Sequence, residues 1–133
     1  MGYFNHVAES NFRIDRKDEA KAYGLLKEFV SSANHDFDGD QGQILAIKTL
    51  YDALVFMGVE LEEDYVEGGY SLDLLNCLDY TADLFSSIAP AVQPGSHIRF
   101  GDENGKIWRW VFDGERMVEQ DGVIVWKTDG GNL

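Results

Sequence analysis

The sequence predicts an α+β fold: about three helices packed on an antiparallel sheet of four to five strands, ending in a C-terminal β-meander. Three observations carry this. Turn dipeptides punctuate the last third at intervals of eight or nine residues, apolar residues recur at helical spacing in three earlier stretches, and 133 residues at 44% hydrophobic content suffice for one core. A single domain spanning 1–133 is expected.

Residues Tyr3 to Ile14 alternate loosely and supply a candidate first strand. Asp15 and Asp18 then mark a helix start, with acids near the positive end of the dipole, and Ala22, Leu26, Phe29, Val30 and Ala33 follow at amphipathic spacing. A second helix is expected from Gln41 to Met57. Ile44, Leu45, Ile47, Leu50, Tyr51, Leu54, Val55 and Phe56 make it apolar almost all round, hence central and buried, and Gly58 stops it. After the acidic stretch VELEEDYVEGGY, a third helix is expected from Ser71 as N-cap to Ile88, ended by Pro90.

The meander follows. Asn104-Gly105, Asp113-Gly114 and Asp121-Gly122 suit the left-handed positions of tight turns, giving strands at His97–Phe100, Lys106–Phe112, Glu115–Gln120 and Val123–Lys127. Trp108, Trp110 and Phe112 share one face of the second of these, a face suited to a core.

Twenty-four acids against 11 bases give a formal charge of -13, which disfavours direct binding to nucleic acid or an anionic membrane and favours a basic partner. The longest apolar runs, such as Ala53 to Met57, fall far short of a membrane span of about 20 residues. His6 stands where N-myristoylation needs Ser or Thr, and the one cysteine, Cys77, fits a reducing, cytoplasmic compartment.

The nonapeptide HDFDGDQGQ at 35–43 places His35, Asp36, Asp38 and Asp40 at alternate positions. Read as a calcium loop from Asp36, it has Gln41 where glycine should turn the chain and Ile47 where the bidentate glutamate should stand. The better reading is a helix start, with Asp40 as N-cap and Gln43 reaching back to it. A metal-dependent enzyme or metal-binding accessory domain built on this cluster is the alternative. Cys77, flanked by Leu74, Leu78 and Thr81, reads as a small buried hydrophobe rather than a nucleophile. No phosphate loop, nucleophile elbow or Cys-x-x-Cys pair is present. No catalytic residue, metal or cofactor is therefore expected.

The charge is uneven. Between Thr49 and Ile98 there is no lysine or arginine, while nine acids lie there; the flanks are nearly balanced, 8 acids to 6 bases before and 7 to 5 after. Ordinary soluble surfaces intersperse both signs. Glu60, Glu62, Glu63, Asp64, Glu67, Asp73, Asp79 and Asp83 are the candidate partner-binding residues. On the third helix, Asp73, Asp79 and Asp83 are expected as a ridge opposite the leucines, Asp79 and Asp83 about 6 Å apart along the axis, a spacing near that of nucleic-acid phosphates.

With its Met-Gly-Tyr start, short β/α body and the terminal IWRWVFDGERMVEQDGVIVW, the chain resembles small acidic proteins of bacteriophages and mobile elements. That resemblance implies, by analogy with anti-restriction and anti-CRISPR inhibitors, a non-enzymatic protein that covers a basic, nucleic-acid-binding surface of a defence protein in the host cytoplasm. An immunity-type protein that binds one cognate partner through an exposed sheet face is a further alternative.

Overall fold

The computed structural model describes residues 5–32, 37 and 40–126. Among the described residues, four α-helices pack with two antiparallel sheets, a mixed α+β architecture. The chain begins with β1 (Asn5–Ser10) and β2 (Arg13–Ile14), passes a 3-10 turn at Arg16–Asp18, and enters α1 (Glu19–Ser32). Then come α2 (Gln41–Ala46), α3 (Leu50–Phe56), the hairpin β3 (Val59–Glu63) and β4 (Tyr70–Leu75), α4 (Thr81–Ile88), and β5 (His97–Asp102), β6 (Ile107–Phe112) and β7 (Met117–Gly122). Sheet A has the order β1-β5-β6-β7, and sheet B the order β2-β4-β3.

One contiguous core joins both sheets to the helices. Ala22, Leu26, Phe29 and Val30 of α1 face inward as their spacing requires, and Trp110 and Phe112 of β6 are buried with Trp108 half-buried, as the strand alternation requires. The aromatic set gathers around Phe85 of α4, which meets Phe12 edge to face at 5.3 Å and Trp110 at a tilt at 5.5 Å, centroid to centroid. Gly105 and Gly114 take φ of +82° and +99° in the β5–β6 and β6–β7 turns. No helix among the described residues is long and apolar enough to cross a membrane.

Four local expectations are corrected. The long second helix is two, because Ile47 is extended and Thr49 starts a new helix, its hydroxyl accepting the Asp52 N–H at 3.1 Å. The carbonyls left open at the break take hydrogen bonds from α1: Lys27 donates to Leu45 and Tyr23 to Ile47. Tyr51, Val55 and Phe56 consequently face solvent instead of a surrounding core.

The third helix keeps only its second half. Ser71 is no cap: Tyr70–Leu75 is a strand, since pairing with β3 outweighs helical spacing in so short a stretch. The ridge of Asp73, Asp79 and Asp83 therefore does not form. Asp121-Gly122 is not a turn either; β7 runs through it, and Gly122 pairs with Ile107, whose side chain fills the space a Cβ would need. Residues 123–126 form no strand and are exposed. Finally, the N-terminal strand divides at Asn11–Phe12, β1 joining sheet A and β2 joining sheet B.

Asp40 does occupy the N-cap position of α2, without a side-chain capping bond, while Gln43 is exposed and Gln41 instead donates to the Val30 carbonyl at 2.6 Å. His35, Asp36 and Asp38 lie outside the described residues.

Candidate functional site

The eight candidate carboxylates fall into three settings, which the strand geometry explains. Along β3, Val59 and Leu61 are buried, so Glu60 and Glu62 point to the opposite, solvent side. On β4, Leu72 pairs with Leu61 and Leu74 with Glu60, leaving Asp73 as the extra residue of a bulge and exposed. Glu67 is exposed at the hairpin tip, Asp79 in the loop before α4, and Asp83 in the first turn of α4. Glu60, Glu62 and Asp73 thus project from one hairpin; Asp79 and Asp83 belong to a separate element.

Glu63 and Asp64 do different work. The Asp64 carboxylate accepts the N–H groups of Val66 and Glu67 at 3.0 Å each and meets the Arg13 guanidinium at 3.3 Å. Arg13 also binds Asp15 at 2.9 Å and donates to the Gly68 carbonyl, while Arg16 reaches Glu63 at 3.3 Å. Two bases from the preceding segment therefore neutralise the tip end of the hairpin, and these two acids fix the turn rather than present charge. Beyond this pinned turn, Tyr65 and Val66 are 85% and 94% exposed.

Hydrogen bonds from the backbone of Glu67 and Val66, then from Arg13, hold Asp64 below its ordinary pKa; those from Arg116 and Glu115 do the same for Asp113 in the β6–β7 turn. A carboxylate whose folded pKa is depressed contributes stability that is fully present above its unfolded pKa and is lost as pH falls through the folded one. The melting temperature should accordingly hold above about pH 5 and fall below about pH 4. Asp64→Asn with Asp113→Asn should flatten that acid limb, read by calorimetry across pH; an unchanged limb would place the acid sensitivity elsewhere.

A groove of about 810 Å³ opens beside the hairpin, between β1 and β4. Its lining includes Val7, Val55, Glu60, Asp73, Leu74 and Leu75. Cys77 stands at its edge and is exposed, not buried as its apolar neighbours suggested; partial desolvation still pushes the thiol above its ordinary pKa, the reverse of what an activated thiolate requires. Among the described residues, no three His, Cys, Asp or Glu side chains are gathered as a metal site. On the opposite side of the hairpin, burial and a 3.0 Å hydrogen bond to Glu19 push Tyr70 up to about 12, so its hydroxyl stays a donor that ties sheet B to α1.

The groove and the two countercharges escaped sequence reasoning. The pattern Phe12-Arg13-Ile14 does signal an outward arginine between two buried residues, but its partners Asp15 and Asp64 depend on how β2 pairs with β4. No protein-family model matches the chain, and no curated protein or solved structure does either.

Proposed function

We propose that this protein is a non-catalytic binding module that lays its acidic β3–β4 hairpin on a basic surface of a partner protein and competes there with nucleic acid. The observation that supports it is the exposed trio Glu60, Glu62 and Asp73 on a hairpin that contains no lysine or arginine, in a chain of charge -13. A cationic surface would gain Coulomb attraction and association rate from this face. These carboxylates sit on two paired strands and not in a helical row at phosphate spacing.

The test compares two triple variants of equal charge change as baits for basic proteins from a cell lysate. Glu60→Lys, Glu62→Lys and Asp73→Lys should abolish capture, whereas Glu28→Lys, Glu103→Lys and Glu115→Lys, at exposed positions elsewhere, should retain it. Capture by the wild type should be released between about 50 and 500 mM salt and displaced by duplex DNA. Equal loss in both triples would mean that net charge alone matters. Full retention in both would refute the hairpin and move the contact to the outer face of sheet A, where Arg99 pairs across strands with Arg109.

A further inference from the structure

The outer face of sheet A brings two of the chain's 11 bases side by side. On β6, Trp110 and Phe112 are buried, so Ile107, Arg109 and Val111 point to the opposite face. Arg109 lies directly across from Arg99 on β5 and from Gln120 on β7, which sets the three in one row. The rows on either side are Gly101, Ile107 and Gly122, and His97, Val111 and Val118. None of these positions around Arg109 is an acid, in a chain that has 24 of them. Like charges directly opposite on a sheet cost stability, so Arg99 against Arg109 is a local penalty that a carboxylate at any of these positions would relieve.

The local hydrogen bonds leave donors to spare. Gln120 Oε1 accepts from Arg109 Nε at 2.7 Å, so that the two Nη groups of Arg109 have no acceptor among the described residues and the Gln120 amide nitrogen is a further donor. Arg99 meets only Glu9 among the described residues, at 4.0 Å on the side away from Arg109, and that carboxylate is held more closely by His97 Nε2 at 2.8 Å. Between this row and Ile107 lies a cleft of about 200 Å³. Trp108 and Asp121 pair across the strands at its floor, and alternation points their side chains to the other face, where Trp108 stacks on Phe100. Ile107 lies across Gly122, its Cδ1 2.9 Å from where a Cβ would stand, and gives the cleft an apolar wall.

We infer that this cleft binds a carboxylate carried on a compact apolar body. Donors without acceptors select an oxyanion, and a guanidinium fork matches the two oxygens of a carboxylate. The Ile107 wall takes the carbon chain. A single negative charge suits the site better than the two of a phosphate, because two arginines must work against a chain of charge -13. The same group is presented by a free short-chain acid and by a glutamate side chain in an apolar segment of a protein. The cleft is separate from the acidic hairpin, so either reading can fall without the other.

Butyrate, a blocked Val-Glu-Val tripeptide and inorganic phosphate are titrated separately into the full chain at constant ionic strength, read by NMR of the arginine Nε–H and Gln120 side-chain amide signals. Expected are saturable shifts of Arg99, Arg109 and Gln120 with butyrate or the tripeptide, half-complete at about 1–10 mM, and phosphate binding weaker by about fivefold or more. A tripeptide tighter than butyrate by about tenfold assigns the carboxylate to a protein segment; the reverse order, or parity, assigns it to a free acid. Arg109→Lys keeps the charge and removes the fork, and should weaken binding by about tenfold, while Arg109→Gln should abolish it. Arg99→Gln, at an exposed position on a different strand, should give the same loss, so the result does not hang on the folding of one variant. Shifts that map away from these three residues, binding retained within about twofold in both glutamine variants, or phosphate binding as tightly as butyrate would each overturn the carboxylate site.

Discussion

Phe85→Ala should lower the free energy of unfolding by about 3–5 kcal/mol, the range of a large aromatic deleted from a close-packed core. Phe85 is fully buried on α4 and touches Phe12, Trp110 and Phe112, so its ring is the joint between that helix, β6 of sheet A and the division at Asn11–Phe12. The edge-to-face contact with Phe12 adds to the area term, and a hole among rigid rings cannot collapse easily. Phe56→Ala is the control. Phe56 is 44% exposed on α3, and its loss should cost no more than about 1 kcal/mol. Urea unfolding with an unchanged slope measures both, and equal effects would show that the ring cluster is not the centre of the core.

Gly69→Ala should be nearly as damaging, by about 2–5 kcal/mol, although it adds a single methyl group to a hairpin turn. Gly69 has φ of +95°, and a Cβ there would stand 2.5 Å from the Ile14 carbonyl oxygen and 3.1 Å from the Asp15 Cα. Backbone must move, and the backbone in question carries the β2–β4 pairing and the Arg13–Asp64 bridge. Gly105→Ala isolates conformational strain from the clash: its φ of +82° is equally unsuited to a side chain, yet nothing lies within 4 Å. That variant should lose only about 1 kcal/mol. If the two melt alike, the close approach of β2 to the turn carries no weight.

Residues whose burial follows from local alternation were legible in the sequence. The inward faces of α1 and β6, the turns at Gly105 and Gly114 and the stop at Gly58 each follow from a periodicity or a backbone demand that neighbours in sequence impose. What was not legible depends on partners far along the chain. YSLDLL carries leucines at spacing that suits a helix as well as a strand, and only its pairing with VELEE decides. Likewise Glu63 and Asp64 look, in sequence, like the rest of an acid run. Their pairing with Arg16 and Arg13, 47 and 51 residues earlier, removes them from the exposed charge. The base-free stretch from Thr49 to Ile98 does carry exposed acids at Glu60, Glu62 and Asp73, but neither strand of the hairpin was legible: β3 read as an acidic connection and Asp73 as part of a helix.

The partnership of β1 with β5 also dictates an order of events during synthesis. Glu9 and His97, bonded at 2.8 Å across these strands, lie 88 residues apart, whereas β3 and β4 are joined by a six-residue turn. Closing a loop of that length carries an entropic cost that grows with the logarithm of its length, to be met before any ladder bond forms. On the ribosome, the acidic hairpin can assemble while β5 to β7 are still untranslated, and β1 must wait with both edges bare until nearly the whole chain has emerged. During that interval the nascent protein exposes an unpaired strand beside a finished charged hairpin, the arrangement in which like-charge repulsion between neighbouring nascent chains protects most against strand-to-strand aggregation.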